Sequence, residues 1–435
     1  MAELSSSDPS ARRTVLVVGA HGFLGGFIVA SLRGRGWRVL NGVRGARADG
    51  DERMVDLSRM LSAESWRATL VDVDGVVNVS GILRETGRQS FETIHVAAPI
   101  ALASACVEAG INTFVQVSAL GIAADGGFIE SKHRFDERLL ALPLRAVVLR
   151  PSVVYAVSGS YGGTSLLRAL AAFPLFSLLP GDGRWAIQPV AAEDLAALVA
   201  DAVEGDQRGV YEVGGPQPVT LRHYQSAWRR WLRISGDGIL AVPEFLVSAQ
   251  VWLGERLGRG PVGETMWRML RRGNVTDIDA CPRLLRDFGR VPRGLEEMLA
   301  TQPSQVQDRW QAQLYFLAPL LRFSIVTLWL LSALAGWFAP VATIEALAQG
   351  SAMQGWPLTA LARTTGILDF LLAGWLASGW QPRWAIALMA TSVLTYTAAF
   401  GLLLPALWLE PLGGLAKNLV ILPALALAWV LAERR

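Results

Sequence analysis

The chain has 435 residues, of which 40 are basic and 37 acidic, with a hydrophobic fraction of 52% and a mean hydropathy of +0.34. This length exceeds that of an ordinary single domain and predicts two or more structural units. The hydrophobicity excludes an intrinsically disordered chain and is too high for a purely soluble protein. A net charge of +3 gives no reason to expect a nucleic-acid partner.

Charged residues are unevenly distributed along the chain. Residues 312–435 contain only ten of them but half of the 16 tryptophans, a composition typical of segments anchored at a bilayer interface. In the first 311 residues, basic and acidic side chains nearly balance. The sequence therefore predicts a soluble-type N-terminal body followed by a membrane-embedded tail.

Cysteine and lysine are both rare. Cys106 and Cys281 lack metal-ligand or redox spacing, so we expect no metal site and two thiols of a reducing compartment. Lysine occurs only at Lys132 and Lys417, although arginine is common, which draws attention to Lys132. The polar start of the chain has no secretory signal, so the N-terminal body is expected in the cytoplasm.

The first apolar run, Thr14–Gly19, is typical of a central parallel strand that is buried on both faces. A glycine-rich loop and a helical pattern follow directly. The loop consists of Gly19, Ala20, His21, Gly22, Phe23, Leu24 and Gly25. Gly19 permits a tight turn, Gly22 lets a pyrophosphate approach the backbone, and Gly25 lets the helix pack on the strand. Free amides at the helix start would face the phosphates, so the segment predicts a dinucleotide site in which His21 faces solvent or bonds to the backbone.

The second predicted strand, Trp37–Val43, is followed by Arg44. A guanidinium here suits the 2′-phosphate of NADP, whereas NAD sites usually place an acidic residue for the ribose hydroxyls. The sequence thus favours NADP over NAD, and the alternative is a solvated loop arginine. Residues 54–57 resemble a short strand ending in Asp56 and Leu57, with a carboxylate able to reach the adenine amino group.

Further strands and helices alternate along the body. The predicted elements are a strand at Val73–Val79 followed by Ser80 and Gly81, a helix at Phe91–Ala109, a strand at Thr113–Ser118 and a strand at Ala146–Val154. This alternation predicts an α/β fold with a doubly wound parallel sheet and a ligand at the carboxyl ends of its strands.

These motifs resemble those of extended or atypical short-chain dehydrogenases/reductases, in the branch that contains the nucleotide-binding accessory subunit of respiratory complex I. The resemblance covers Thr14–Gln311 and rests on the glycine loop, Asp56-Leu57, Val117-Ser118, Lys132 and Leu149–Tyr155. It implies a Rossmann domain. Beyond the glycine loop, Arg44, Asp56 and Leu57, the resemblance implies further cofactor-binding residues at Ser80, Gly81, Ser118, Lys132, Pro151, Ser152 and Val153.

The resemblance also implies a catalytic set that is incomplete here. In that family a tyrosine four residues before a lysine transfers the proton, the lysine binds the ribose, and a serine positions the substrate oxygen. Lys132 and Ser118 match, but the tyrosine position is Phe128, and a benzene ring cannot transfer a proton. Phe128 packs over the nicotinamide, or the alignment is displaced within residues 123–128. Tyr155 either lies in the cleft or packs in the core, and packing is favoured.

These patterns divide the chain into four parts. We expect a disordered start at residues 1–13, a Rossmann domain at 14–235, a small helical substrate-side lobe at 236–311, and an all-α four-helix transmembrane bundle at 312–435. The apolar segment Tyr161–Pro180 predicts a lid on the cleft.

The tail has four candidate spans of the length that a bilayer requires. They are Phe323–Ile344, Leu358–Trp380, Trp384–Leu409 and Pro411–Ala432. The tail resembles the DoxX-like membrane domain, through its hydropathy and the segment Leu368–Leu372. The arginine distribution predicts a multi-pass protein of the cytoplasmic membrane with both ends cytoplasmic.

Asp369 lies within the second candidate span. An ionisable side chain at membrane depth is costly and by default faces the bundle interior or water. It serves either a structural hydrogen bond, with Asn418, Lys417 or Arg363 as partner, or a functional role in the membrane.

Three functions follow from these features. The first is a membrane-tethered, NADP-binding reductase of an apolar carbonyl or quinone-like substrate. The second is a catalytically silent NADPH-binding protein that serves a membrane protein partner in a structural or redox-sensing role. The third, epimerase or dehydratase chemistry on a sugar nucleotide, requires the missing tyrosine even more and fits an apolar lid poorly.

Overall fold

The computed structural model describes residues 13–45, 50–256, 263–346, 349, 353–409 and 414–433. Internal contacts divide the chain into two compact units, Met1–Ala312 (unit 1) and Gln313–Arg435 (unit 2). The predicted disordered start lies outside the described residues except for Arg13. The domain limit at residue 235 stays a prediction.

A seven-stranded parallel sheet forms the centre of unit 1. In chain order the strands are β1 Thr14–Val18, β2 Arg38–Val43, β3 Glu52–Met54, β4 Gly75–Asn78, β5 Thr113–Val117, β6 Arg145–Pro151, β7 Val154–Tyr155, β8 Phe176–Pro180, β9 Ala186–Ile187, β10 Val190–Ala191, β11 Gly209–Val213, β12 Val219–Thr220 and β13 Gly238–Val242. The main sheet has the order β11-β6-β5-β4-β1-β2-β3, and all of its pairs are parallel. The predicted Rossmann-type doubly wound sheet is confirmed.

Helices cover both faces of this sheet. Those of unit 1 are α1 Phe23–Gly34, α2 Ala98–Glu108, α3 Gly127–Leu140, α4 Gly162–Ala171, α5 Ala192–Glu204, α6 Leu221–Trp231, α7 Glu244–Arg256, α8 Glu264–Arg272, α9 Ala280–Phe288 and α10 Leu295–Ala300. Two apolar clusters lie on opposite faces of the sheet, one including Val15 and Val17 and the other Leu16 and Val18. The continuous apolar run of β1 follows from burial on both faces.

Two predicted strand ends were wrong, and one predicted helix has nearly the expected bounds but a different opening turn. The strand expected to end in Asp56 stops at Met54, because the chain turns where Asp56 accepts a hydrogen bond from the amide of Ser58 (3.0 Å). The long helix expected from Phe91 opens instead as a π-helix, Glu92–Ala97, before α2. The sixth strand ends at Pro151, since the next residues leave the sheet and form β7, which pairs with β10.

Unit 2 is helical. It contains most of α11 Val306–Phe338, then α12 Val341–Ala346, α13 Leu358–Ser378, α14 Pro382–Leu403 and α15 Asn418–Leu431. Among the described residues, α11, α13 and α14 are long and apolar enough to cross a membrane. The fourth predicted span is a shorter helix of 14 residues, below the ~20 that a spanning helix needs. The four-span topology and its orientation stay predictions.

Small residues and polar pairs organise the interior of unit 2. Gly336 and Gly366 bring α11 and α13 close together, since a Cβ added at Gly336 would lie 2.9 Å from the carbonyl oxygen of Ala362. Asp369 is buried and accepts a hydrogen bond from the Ser332 hydroxyl (2.7 Å). The expected partners were therefore wrong: Asn418 donates to Thr397. Arg363 donates to the carbonyl groups of Gly336 and Ala339, and among the described residues Ser332, rather than Lys417, donates the hydrogen bond to Asp369.

Candidate dinucleotide-binding site

The glycine loop joins β1 to α1, and its backbone contacts leave no room for a side chain at Gly25 and little at Gly22. Gly19 has φ +91°, and its carbonyl oxygen accepts a hydrogen bond from the amide of Gly22 (2.9 Å). A Cβ added at Gly25 would lie 2.2 Å from the same oxygen, and one added at Gly22 would lie 3.1 Å from it. In the described chain no side chain caps the first turn of α1. Its amides are thus available to an anion, which fits a pyrophosphate.

The other loop residues have three different environments. His21 is exposed, as predicted, and its Nε2 lies 3.3 Å from the Glu52 carboxylate. Leu24 packs against the apolar core. The Phe23 ring stacks on Tyr161 at the start of α4, with a centroid distance of 5.9 Å, and Tyr161 remains 60% exposed. An accessible aromatic wall therefore stands beside the phosphate-binding loop.

A cavity of about 450 Å³ lies at the carboxyl ends of the strands on the β2–β3 side. Its lining consists of Arg44, Asp56, Ser58, Arg59, Thr86, Arg88 and Gln89. The described lining thus contains three arginines and one acidic residue. Arg44 and Asp56 were predicted from the sequence, whereas Arg59 and Arg88 were not, because no local pattern places those two beside Arg44. Leu57 is half-buried and packs on the sheet core.

Lys132 is buried on α3 beneath the ends of β4 and β5. Its ammonium group donates hydrogen bonds to the carbonyl oxygens of Ser80 (2.8 Å) and Val117 (3.4 Å). A Cβ added at Gly81 would lie 3.1 Å from the Lys132 Nζ. Burial lowers the pKa of Lys132 to about 8, and the negative charge of Asp136 opposes that shift. The structure therefore brings together Ser80, Gly81 and Lys132, as the sequence predicted.

Ser118 follows β5, and its side chain forms a hydrogen bond with a buried ion pair. Its hydroxyl donates to the Asp136 carboxylate (2.8 Å), and the Arg150 Nε donates to the same oxygen (2.9 Å). Burial raises the pKa of Asp136, while Ser118 and Arg150 counteract this. With its proton directed at Asp136, Ser118 can still accept a hydrogen bond but is not poised to donate one to a substrate oxygen.

Phe128 lies four residues before Lys132 on the same helix, in the position predicted from the sequence. Its ring packs edge-on against Phe91 and His95, with centroid distances of 6.2 and 5.5 Å. Tyr155 does not take its place, because it is buried against Tyr224 and Trp228. The favoured packing role of Tyr155 is confirmed.

His95 is a site residue that the sequence analysis missed. Its Nε2 accepts a hydrogen bond from the amide of Ile82 (3.0 Å), so Nδ1 carries the proton and donates to the Ser131 hydroxyl (2.8 Å). Ser131 in turn donates to the carbonyl oxygen of Phe128 (3.1 Å). Burial, together with the nearby Lys132 charge, lowers the pKa of His95 to about 2. His95 lies in the π-helix, a feature that is frequent at functional sites. Its neighbours in the sequence are mostly apolar, so no local pattern indicated His95 as a site residue.

The segment after β6 has mainly structural contacts. The Ser152 hydroxyl donates to the carbonyl oxygen of Asn274 (2.7 Å), and its amide donates to Val213. The carbonyl oxygen of Pro151 accepts from Leu120, and Val153 packs on an apolar cluster. The cofactor roles of Pro151, Ser152 and Val153 stay predictions.

Comparison with known families matches two parts of the chain. Residues 15–176 match the NAD dependent epimerase/dehydratase family, and residues 326–429 match the DoxX-like family. The second match and the three apolar helices indicate a membrane protein.

Three curated relatives resemble unit 1. Mitochondrial NADH dehydrogenase [ubiquinone] 1 alpha subcomplex subunit 9 of Arabidopsis thaliana is 30% identical over 262 residues, 53% of this chain and 63% of that relative, less than two thirds of its length. An epimerase family protein of Mycobacterium leprae is 28% identical over 58% of this chain and 86% of its own. Chloroplastic divinyl chlorophyllide a 8-vinyl-reductase of Zea mays is 27% identical over 58% and 67%.

Solved structures share the fold. MoeE5 in complex with UDP-glucose and NAD has a TM-score of 0.50 at 20% identity, covering 66% of this chain and 97% of that one. The ADP-L-glycero-D-manno-heptose-6-epimerase of Helicobacter pylori has a TM-score of 0.50 at 16% identity, covering 67% and 94%. The chain therefore joins an N-terminal domain of the NAD-dependent epimerase/dehydratase type, which is short-chain dehydrogenase/reductase-like, to a DoxX-like C-terminal region.

Proposed function

We propose that the protein is a membrane-anchored, NADP(H)-dependent oxidoreductase that passes a hydride to an apolar, quinone-like acceptor. The observation that carries this proposal is Phe128 in the tyrosine position, beside a retained Lys132 and glycine loop. Reduction of a simple carbonyl produces a strongly basic alkoxide and needs a general acid. Reduction of a quinone produces phenolate-type oxygens, which have a pKa near ~10 and can take their proton from water.

The residues present fit the dinucleotide. Amides at the start of α1 bind the pyrophosphate, and Lys132 is placed to donate hydrogen bonds to the ribose of the nicotinamide half. When bound, the nicotinamide supplies the hydride, and one proton from water completes the two-electron reduction of quinone to quinol.

The arginine cavity supports NADP over NAD. Among the described residues, the lining of this cavity includes Arg44, Arg59 and Arg88 and one acidic side chain, Asp56. A 2′-phosphate carries about two negative charges and accepts bidentate hydrogen bonds from guanidinium groups. With an unmodified ribose, Asp56 alone among these lining residues would balance the three positive charges.

Two features support an apolar acceptor. Tyr161 is largely exposed and stacks on Phe23, so an accessible aromatic wall adjoins the cofactor loop. The same chain carries the DoxX-like region, so apolar molecules dissolved in a bilayer are available to it. We further propose that the membrane is the cytoplasmic membrane and that unit 1 lies in the cytoplasm, a placement that cysteine-accessibility labelling on either side of the membrane tests.

Titration of the purified full-length protein in detergent with NADPH and NADH tests the cofactor, and stopped-flow absorbance with ubiquinone-1 and menadione tests the reaction. We expect tighter binding of NADPH and its oxidation by at least one quinone. Tighter binding of NADH would overturn the cofactor assignment. Binding of NADPH without oxidation by any quinone or lipid aldehyde would overturn the oxidoreductase.

A second candidate is a catalytically silent NADPH-binding protein that serves a membrane complex. It is favoured by the hydrogen bond from Ser118 to Asp136 and by the hydrogen bonds that both His95 nitrogens already form within the protein. In that case Phe128→Tyr would leave activity at background, NADPH would raise the melting temperature, and a membrane protein would co-purify. Quinone-dependent turnover by the unchanged protein would exclude this candidate.

A further inference from the structure

Helix α7 has an unusual distribution of apolar side chains. Phe245, Leu246, Ala249, Trp252 and Leu253 recur at the spacing of one helical face. This face points outward: Phe245 is 70% exposed, Trp252 58%, Leu253 51% and Leu246 49%. Large apolar side chains that are contiguous and exposed mark an interaction surface rather than an ordinary solvent-facing helix. We call these five residues the α7 apolar face.

Two contacts hold α7 on the rest of unit 1. Val251 is buried, and the Trp267 indole of α8 donates a hydrogen bond to the Ser248 hydroxyl (3.2 Å). Turning the α7 apolar face inward would expose Val251 and break this contact. The outward orientation is therefore set by the packing of the helix.

The charges around this face suit a lipid surface. Both acidic residues of α7 lie beside arginines of unit 1: Glu244 is 3.7 Å from Arg271, and Glu255 is 3.6 Å from Arg84. The remaining charged residue, Arg256, lies over the Trp252 ring, 4.8 Å from its centroid. Tryptophan and arginine together are typical of the bilayer interface, where the indole lies among headgroups and the guanidinium reaches phosphates.

The chain also keeps a bilayer close to this helix. Helices long and apolar enough to cross a membrane follow α7 in the same polypeptide. Attachment of this kind raises the effective concentration of lipid at unit 1, so a short apolar face binds more strongly than it would on a free protein. A protein partner would require a complementary surface, for which the structure offers no equivalent argument.

We propose that the α7 apolar face is a membrane-interface helix that lies in the headgroup region of the bilayer with Phe245 and Trp252 inserted. Unit 1 thus contacts lipid through its own surface, independently of the helices of unit 2. Such helices bind through an apolar face flanked by basic residues. This inference does not depend on the cofactor or on the acceptor.

An environment-sensitive fluorophore on the α7 apolar face tests the proposal in the full-length protein. NBD is attached to Ala249→Cys in a Cys281→Ser background, in which buried Cys106 is the remaining native thiol. The protein is reconstituted in phosphatidylcholine–phosphatidylglycerol vesicles with and without doxyl-labelled lipid. We expect blue-shifted emission that doxyl lipid strongly quenches, whereas NBD on exposed Arg33→Cys of α1 is not quenched.

The double variant Phe245→Ser/Trp252→Ser is the matched variant in which lipid contact should be lost. It should abolish doxyl quenching at position 249, while an unchanged circular dichroism spectrum and melting temperature show that unit 1 still folds. Three results would overturn the proposal: emission typical of water, blue-shifted emission insensitive to doxyl lipid, or energy transfer between copies that disappears on dilution in lipid. The last two would assign the face to a protein, either another part of the chain or a second copy.

Discussion

The two halves of the candidate site differ in which of the residues expected from the family resemblance they contain. At the phosphate half, Gly19, Gly22 and Gly25 form a loop whose close contacts leave no freedom of substitution. At the nicotinamide half, the lysine is kept, but an aromatic cluster replaces the proton donor, and Ser118 is bound to Asp136. Residues suited to binding the proposed cofactor are thus present without the usual proton donor, and the predictions below address each half in turn.

Gly25→Val is expected to have the largest effect. Its Cβ would overlap the Gly19 carbonyl oxygen, and relieving such overpacking costs about 1–3 kcal/mol, which corresponds to a loss of NADPH affinity of up to about 100-fold. Titration of the purified protein measures this. Gly26→Ala is the matched control, because a Cβ there meets nothing within 4 Å. Equal affinities for the two variants would contradict the assignment of the loop.

Lys132→Met is expected to weaken NADPH binding by about tenfold to 100-fold. The change removes the charged donor proposed for the ribose, and a hydrogen bond to a charged group contributes about 1.5–3 kcal/mol. The Ser80 and Val117 carbonyl oxygens also lose their donor, an effect on stability that the melting temperature reports. Lys417→Met, at the one other lysine, should leave affinity unchanged. A Lys132→Met protein of normal melting temperature and normal affinity would show that the lysine does not serve the cofactor.

Arg44→Ala should lower the affinity for NADPH about tenfold and leave that for NADH unchanged, because only the 2′-phosphate interacts with the guanidinium. Arg59→Ala and Arg88→Ala should act in the same direction. Arg38→Ala on β2, where the arginine lies 3.5 Å from Asp51 outside the cavity, is the control. A parallel loss for both cofactors would point to a general electrostatic effect.

The last prediction concerns stability rather than binding, and it is the pH dependence caused by His95. Its pKa falls from 6.5 when unfolded to about 2 in the folded protein, mainly through burial. The unfolded chain therefore binds a proton that the folded chain rejects, and this stability contribution is lost as the pH falls below 6.5. Urea unfolding followed by tryptophan fluorescence should show a drop of about 2 kcal/mol between pH 6.5 and about pH 5. His95→Gln should flatten that slope, whereas His21→Gln, on an exposed imidazole, should keep it.

The phosphate half was predictable from sequence, because a buried strand, three glycines and a helix lie within one short segment. Lys132 and Phe128 were likewise predictable from their spacing on one helix. His95, Asp136 and Arg88 were not, since tertiary packing brings them to the site from distant segments. The partner of Asp369 was wrong for a related reason: the close approach of α11 and α13 at Gly336 and Gly366 determines which helix faces meet, and no local pattern encodes that crossing.

The π-helix at Glu92–Ala97 also indicates how a single deletion can change this site in evolution. A π turn differs from an α turn by one extra residue in the hydrogen-bonded ring. Deleting one residue there would restore a regular helix and rotate the side chains before the deletion by about 100° relative to those after it. His95 would then lose either Ile82 or Ser131 as a partner. A one-residue gap at this position in related sequences is therefore a simple marker of proteins that lack this histidine arrangement.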